Sequence, residues 1–249
     1  MSYVRRSVRA GGVTYIKEYY TGRYHPKGET RQKRSRASSA SVQTANYRNA
    51  LDKLTWLLNE NFGVGDLWVD TTYAKNSKKV PWEQMQTDFR IFLRRARRLY
   101  QKYGIELRYA AVPEVGERGS RHFHLVMPAM PGLTMKDVIE MLTKAWGRGT
   151  VGVEIVGPKK DKGTYDDIAV YMMKYSERTR RTLKDDSIKR YTRSQNLRAP
   201  KVEIKPILRG GLDKPHFYVP KGWRMVEDSL KQYDNEYGYA VRQYLCLRI

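Results

Sequence analysis

The sequence predicts an α+β fold, in which helices pack on a central antiparallel sheet and a less regular extension follows at the C-terminal end. Two strand-like segments in the middle of the chain, 105–114 and 121–127, are separated only by the short loop 115–120. This spacing is typical of an antiparallel hairpin. Helix-like segments alternate with single strands on both sides of the hairpin, and a layer of helices on an antiparallel sheet accommodates that order.

The first part of the chain contains a second predicted hairpin. Residues 1–25 alternate loosely around Gly11 and Gly12, which indicates two short strands joined by a tight turn. The stretch 26–38 is basic and polar, so we expect an arm or loop that either follows phosphates or is a solvated linker. Apolar residues at helical spacing then predict a helix over 45–62, and a strand follows over 66–74.

A long basic helix is predicted to begin at Pro81, because the fixed φ of proline suits a helix start. Its apolar side continues to Tyr100, and Gly104 ends it. Arginines lie among the apolar residues, and both a solvated face and a direct DNA contact fit them: Arg94, Arg95, Arg97 and Arg98.

Two more helices and one strand are predicted after the central hairpin. Thr134 with Asp137 forms a helix-start signature, and Thr164 with Asp167 forms another. A short strand over 150–156 lies between the two helices.

These elements divide the chain into three predicted segments: an N-terminal hairpin and basic arm over 1–40, a nuclease domain over 41–180, and a C-terminal extension of unassigned role over 181–249. No internal repeat is visible. The chain also lacks the Gly-x-x-x-x-Gly-Lys-Ser/Thr loop that cradles nucleotide phosphates. We therefore expect no use of ATP by the chain itself.

The charge balance points to a polyanionic partner. Lys and Arg total 48 against 26 Asp and Glu, which gives a formal net charge of +22. A surplus of this size attracts nucleic acid. A basic protein of the ribosomal type, or one that is merely soluble, would also show such a surplus.

Cysteine content and hydropathy indicate the compartment. Cys246 is the one cysteine, so neither a disulfide within the chain nor a cysteine-based zinc site can form. The apolar runs are too short to span a bilayer, and the N-terminus has no apolar segment like that of a signal peptide. A reducing, cytoplasmic setting without membrane association is expected.

The segment Arg121-His122-Phe123-His124-Leu125 is the first candidate for chemistry. Alternate side chains of a strand share a face, so His122 and His124 point the same way. Two imidazoles on one face can bind one divalent ion. A pair of structural histidines held by hydrogen bonds is the competing interpretation.

A third ligand is available on the neighbouring strand. Glu114 ends the first strand of the hairpin, across the loop from His122, and Glu117 in the loop is the competing carboxylate. Mixed imidazole and carboxylate ligands accept Mg²⁺, Mn²⁺ or Zn²⁺, and the residues alone do not choose among them.

The second candidate is the segment Tyr171-Met172-Met173-Lys174-Tyr175 in the last predicted helix. Residues four apart are neighbours on a helix, so Tyr171 and Tyr175 share a face. Core packing would explain both rings, but a phenol near a divalent ion can also act as a nucleophile. Lys174 could contact a phosphate or lower the pKa of such a phenol.

The histidine motif followed by Tyr-x-x-Lys-Tyr resembles the HUH endonucleases that initiate rolling-circle replication in plasmids and small phages. The order agrees with replication initiators, since conjugative relaxases have the tyrosine first. Glu114 looks like the third metal ligand of that family, and Leu67–Tyr73 loosely resembles its first motif. The paired tyrosines are similar to the two-tyrosine branch of microvirus gene A proteins. The resemblance covers roughly residues 65–180.

The resemblance implies an enzyme that nicks and rejoins single-stranded origin DNA through a 5′-phosphotyrosine, with Mg²⁺ or Mn²⁺ as cofactor and with host helicase and polymerase as partners. Basic residues are expected to contact DNA: Arg121, Arg118, Lys33, Arg34, Arg178, Arg180 and Arg181. Three alternatives are an HUH transposase, a non-catalytic basic nucleic-acid-binding protein, and a zinc hydrolase that uses two histidines and a glutamate.

Overall fold

The computed structural model describes residues 2–21, 40–74, 80–117, 119–157, 164–207, 212, 216–235 and 237–249. Lys33, Arg34, Arg118 and the predicted basic arm over 26–38 lie outside the described residues. The elements in chain order are β1 (Ser2–Ala10), β2 (Val13–Thr21), α1 (Ala40–Asn61), β3 (Leu67–Tyr73), α2 (Trp82–Lys102), β4 (Ala110–Val115), β5 (Arg121–Met127), α3 (Met135–Trp146), β6 (Gly149–Ile155), α4 (Asp166–Leu183), β7 (Thr192–Arg193), β8 (Lys201–Pro206), β9 (Trp223–Met225), β10 (Lys231–Asp234) and β11 (Ala240–Arg248).

The described chain is α+β, with antiparallel sheets and helices packed on them, as the sequence predicts. It divides into two compact units. One combines Met1–Asn49 with Ala199–Ile249, and the other is Ala50–Arg198. The prediction treated the N-terminal hairpin and the C-terminal extension as separate segments, whereas the structure pairs their strands in one sheet.

The unit Ala50–Arg198 is built on a five-stranded sheet with the order β6-β3-β5-β4-β7. Helices α2 and α3 supply apolar side chains to one core with the sheet, and Phe123 of β5 stacks on Phe89 of α2 with ring centroids 4.0 Å apart. Only alternate residues of β3 and β5 enter this core. The side chains between them therefore lie on the opposite face of the sheet.

Local signals in the sequence position two of the helices. Thr134 caps α3 in a reciprocal pair with Asp137, and Gly147 ends the helix in the left-handed conformation. Helix α4 begins without the side-chain cap expected from Thr164, but Asp166 and Asp167 lie in its first turn. Carboxylates there are favoured by the helix dipole.

The strand predicted over 105–114 is shorter in the structure, because β4 begins at Ala110. The residues before it form other hydrogen bonds. The Tyr109 amide donates to the Ser194 hydroxyl, and the Asn196 side chain donates to the Leu107 carbonyl. The chain that follows β7 therefore satisfies this backbone where a strand ladder was expected.

The other unit is a six-stranded sheet with the order β10-β11-β2-β1-β8, and β9 pairs with β11. Strands β1 and β2 form the predicted hairpin, with Gly11 at φ +58° in its turn. Ile16, Tyr244 and Cys246 are buried on one face of this sheet, beneath Phe217 and Trp223. In the part of the chain that the structure describes, no helix has the length and apolar content that a membrane crossing requires.

Candidate active site

Strand β5 separates the two histidines from the core. Phe123 and Leu125 are buried with α2 and α3, and His122 and His124 occupy the alternate positions, as the sequence predicts for a strand. His124 is buried, whereas His122 is partly exposed. The imidazoles therefore lie on the sheet face opposite the main core, with ring centroids 6.2 Å apart.

The strands on both sides of β5 bring carboxylates to the same face. Glu114 of β4 pairs with His122, and Asp70 of β3 pairs with His124. Residues directly opposite on antiparallel strands have neighbouring side chains. Thr72 of β3 is also opposite His122, and its Oγ1 lies 3.1 Å from His122 Nδ1.

His124 is held at both ring nitrogens. Its Nδ1 bonds to the carboxylate of Asp70, and its Nε2 lies 2.8 Å from Glu114 Oε2. The Glu114 side chain also accepts a hydrogen bond of 2.6 Å from Arg178 of α4. Asp70 was assigned no role from sequence, although its alternation with Trp68 and Thr72 in β3 was a signal that it shares their face.

These contacts set the charge states of the site. Burial by itself would lower the pKa of His124, but the carboxylates of Asp70 and Glu114 raise that pKa above its ordinary value. Burial by itself would raise the pKa of Glu114, but hydrogen bonds from His124 and Arg178 hold that pKa below its usual range. Burial lowers the pKa of His122, which favours the neutral imidazole.

Helix α4 is fixed against β4 by a buried threonine. The Thr179 hydroxyl accepts from the Val115 amide at 2.9 Å and donates to the Pro113 carbonyl at 2.9 Å. Both bonds involve the backbone of the strand that carries Glu114. The position of α4 relative to the site is therefore set at this strand.

The two tyrosines of α4 lie over the histidines. The ring of Tyr175 stacks on His124 with centroids 3.9 Å apart and planes 18° apart. Tyr171 contacts Tyr175 edge-on at 4.6 Å, and the Tyr175 hydroxyl donates to the Tyr171 oxygen. Trp68 lies 5.6 Å from both His124 and Tyr171, so it completes one aromatic cluster around the site.

The two phenols differ in environment. Tyr171 is 49% exposed, whereas Tyr175 is partly buried between Tyr171 and His124. Burial and the hydrogen bond to Tyr171 raise the pKa of Tyr175. Tyr175 is therefore a neutral phenol near pH 7.

The cation that touches this site is an arginine. Lys174, proposed from sequence to assist the phenols, is exposed on α4 at the i+3 position from Tyr171. Arg178 instead bonds Glu114, and its guanidinium carbon lies 5.8 Å from the ring centroid of Tyr175. The sequence analysis gave Arg178 only a DNA contact.

The remaining predicted residues are distributed around the unit. Arg121 is partly exposed and donates to the Val80 carbonyl at 3.2 Å, while Arg181 and Glu117 are exposed. Arg180 is only 7% exposed and bonds the Ile188 carbonyl and Asp186. Because its guanidinium faces protein, we leave Arg180 out of the proposed DNA contacts.

Metal binding by this group was tested against its donor atoms. No cluster of three or more His, Cys, Asp or Glu in the described ranges is arranged round a common point for an ion. The donor chemistry nevertheless fits, because a histidine whose Nδ1 bonds a carboxylate presents Nε2 to a metal. His122, His124 and Glu114 are the residues that would hold it, and binding would replace the direct bond between His124 and Glu114.

Comparison with known proteins agrees with a role in replication. Residues 66–180 match a family of replication-associated proteins, described as the ORF2 and gene 2 protein family. The matched segment runs from the start of β3 into α4 and includes every residue of the site just described. It indicates a replication-associated protein. Searches of curated proteins and of solved structures gave no match.

Proposed function

We propose that this chain is a replication initiator that nicks and rejoins single-stranded DNA at an origin through a 5′-phosphotyrosine. The observation that carries the proposal is the stacking of Tyr175 on His124 at 3.9 Å, with Tyr171 bonded to it. Two phenols beside two imidazoles and a carboxylate suit phosphoryl transfer to a tyrosine. The surplus of basic residues and the family match both favour DNA as substrate.

A Mg²⁺ or Mn²⁺ ion is the cofactor that we assign to His122, His124 and Glu114. When bound, such an ion supplies polarisation of the scissile phosphate and stabilisation of the charge that develops in the transition state. The protein's part is to fix the donors. Asp70 holds Nδ1 of His124, and Arg178 holds Glu114.

In the proposed reaction a phenolic oxygen loses its proton and attacks phosphorus in line. The bond between phosphorus and the 3′ oxygen breaks, and that oxygen leaves with the electron pair and takes up a proton. The product is a 5′-phosphotyrosine and a free 3′-hydroxyl. The same exchange in reverse, with the second phenol or a released hydroxyl, rejoins the strand without ATP because the phosphodiester energy is kept in the covalent bond.

Cations around the pocket would hold the DNA backbone. Lys174 lies one turn from Tyr171, and Arg121 and Arg181 have exposed surface for phosphate contacts. Lys33, Arg34 and Arg118 remain proposed contacts on sequence grounds. Trp68 and the exposed part of Tyr171 offer aromatic faces on which unpaired bases could stack.

The proposed setting is the bacterial cytoplasm. There the free 3′-hydroxyl would prime a host polymerase, while a host helicase separates the strands.

The test uses end-labelled single-stranded DNA that spans the origin of the replicon encoding this chain, incubated with the protein and Mn²⁺. A denaturing gel should show a shortened strand and a slower protein–DNA band, and mass spectrometry of the digested band should place the adduct on Tyr171 or Tyr175. Replacing both tyrosines by Phe should remove the band. Tyr103→Phe, which alters a 43% exposed tyrosine outside the site, is the matched control and should keep it.

Replacing both His122 and His124 by Ala should abolish nicking and leave binding of the DNA largely intact. An adduct formed by the double Phe variant would show that the nucleophiles are wrongly assigned, and normal cleavage by the double Ala variant would exclude the metal site. Binding without any covalent band in the wild type would favour a non-catalytic nucleic-acid-binding protein. Cleavage that requires two ends of a mobile element would favour a transposase.

A further inference from the structure

Helix α2 carries a row of arginines on the side that faces solvent. Its apolar residues, among them Phe92, Ala96 and Tyr100, are buried in the core of the unit Ala50–Arg198. Four arginines are exposed on the other side: Arg90, Arg94, Arg97 and Arg98. Successive residues of an α-helix differ by 100°, so these four fall within an arc of about 100° along roughly 12 Å of helix. We call them the α2 arginine face.

The arginines of this face have no acidic partner among the residues that the structure describes. Other basic side chains of the unit do pair with carboxylates: Lys144 with Glu140, Arg148 with Asp88, Arg178 with Glu114 and Arg190 with Glu177. Helix α2 itself has no acidic residue from Arg90 to its end at Lys102. Of the four, Arg90 donates to the Thr87 hydroxyl, which is neutral.

This concentration of charge does not stabilise the helix. Arg90 and Arg94 are four apart, as are Arg94 and Arg98, and like charges at that spacing destabilise a helix. Solubility alone does not require four like charges within one arc. An anionic ligand along the helix would relieve the repulsion.

We propose that the α2 arginine face is a second DNA-binding surface, which holds the phosphate backbone of double-stranded DNA. A duplex carries one negative charge per ~1.7 Å of its axis, so 12 Å of duplex presents about seven phosphate charges to this face. Arginine is well suited to phosphate because its planar guanidinium donates to two oxygens at once.

The composition of the face selects the partner. The exposed positions on the same side include Gln86 and Gln101 but no aromatic ring, so the face lacks the stacking groups that single-stranded sites use. A membrane surface fits less well, because an interfacial helix inserts its apolar face into lipid and that of α2 is buried in the core. Contacts to phosphate without base contacts give binding that is independent of sequence.

The surface is separate from the candidate active site. The side chains of α2 pack against the Phe123 face of the sheet, whereas His122 and His124 lie on the opposite face. The inference therefore does not depend on the proposed nicking activity.

The test compares two charge-matched variants of the full chain in fluorescence-anisotropy titrations with a blunt duplex of random sequence. One variant replaces the four arginines of the face by Gln. The other replaces four exposed lysines elsewhere in the same unit by Gln, and so removes the same net charge: Lys53, Lys136, Lys144 and Lys189. Thermal unfolding of both variants checks that they fold.

The arginine variant should bind duplex at least about 10-fold more weakly, and its plot of log affinity against log salt should be shallower by about 3 to 4, since each lost phosphate contact contributes ~0.9. The lysine variant should change little. Nicking of single-stranded origin DNA should persist in both.

Equal losses in the two variants would reduce the effect to bulk charge and overturn the proposal. So would an unchanged salt slope in the arginine variant, or a loss of affinity for single strands as large as that for duplex. If the fourfold variant fails to fold, the double variants Arg90→Gln with Arg94→Gln and Arg97→Gln with Arg98→Gln apply the same criteria, each with about half the slope change.

Discussion

Asp70 determines which nitrogen of His124 faces Glu114. Its carboxylate binds Nδ1, so the ring presents Nε2 towards Glu114 and His122. An Asn at this position has nearly the same shape but no charge, and it can turn its amide donor towards the ring. The hold on Nδ1 would then be weaker.

We therefore expect Asp70→Asn to lower nicking by about 10- to 100-fold, the usual effect of losing a carboxylate behind a metal-binding histidine. Nicking measured against Mn²⁺ concentration should show a higher half-saturation point and partial rescue at high Mn²⁺. Glu106→Gln, which neutralises an exposed carboxylate away from the site, should behave as wild type. An Asp70→Asn enzyme with wild-type Mn²⁺ dependence would contradict the assigned role.

The two tyrosines should separate into first and second nucleophile. Tyr171 is the more exposed phenol, and its oxygen receives a hydrogen bond from Tyr175 that would stabilise a negative charge there. Tyr171→Phe should then abolish the first covalent adduct. Tyr175→Phe should still form an adduct on Tyr171 but should fail to rejoin strands, as followed by mass spectrometry and by a strand-joining assay. The reverse pattern would exchange the two roles.

Much of the site could be named from sequence because its spacing is local. Alternation in a strand places His122 with His124, and the helical repeat places Tyr171 with Tyr175. Asp70 and Arg178 belong to the site through strand register and helix packing, which involve residues more distant in the chain. Those contacts depend on the tertiary fold, so no local pattern reveals them.

At the scale of elements, the contact between α4 and β4 decides whether the phenols reach the histidines. Thr179 is fully buried, and its hydroxyl satisfies one amide and one carbonyl of β4. Valine has nearly the same shape but leaves both backbone groups without that partner. A buried amide left unsatisfied destabilises a protein by about 1–3 kcal/mol.

Thr179→Val should accordingly lower the free energy of unfolding by about 1–3 kcal/mol, measured by urea denaturation. Nicking at a temperature where the variant remains folded should also fall, because α4 is no longer fixed at the strand that carries Glu114. Thr179→Ser retains the hydroxyl and should restore most of both properties. If valine and serine were equivalent, the hydroxyl would not be what positions the helix.

Element boundaries followed the sequence where a local signal exists. The capping pair of Thr134 and Asp137 and the alternation of β5 are examples. The segment before Ala110 did not follow its pattern, because Ser194 and Asn196 bind its backbone from a distant part of the chain. Competition of that kind is settled by tertiary contacts, which override local preference.

At the scale of the whole molecule, the unit formed by Met1–Asn49 and Ala199–Ile249 has a built-in reporter. Cys246 of β11 is fully buried, and burial raises the pKa of its thiol to about 11. The unfolded chain should ionise at about pH 8.5. Since the folded-state pKa is the higher one, the thiol leaves stability unchanged at lower pH and reduces it as the pH rises towards 11.

At pH 8 we expect the native thiol to resist an aromatic disulfide reagent over a period in which the chain in guanidinium chloride reacts completely. The absorbance of the released thiolate measures the reaction. Equal rates for native and denatured protein would show that the sheet does not enclose Cys246.

The pairing of β11 with β2 also sets an order of events during synthesis on the ribosome. The hairpin of β1 and β2 emerges early, but the strand that lies beside β2 is among the last to be made. Ala50–Arg198, which contains all of the catalytic candidates, is complete before then. The replication chemistry can therefore acquire its scaffold first, while the opening strands wait with one edge unpaired for a partner more than two hundred residues away.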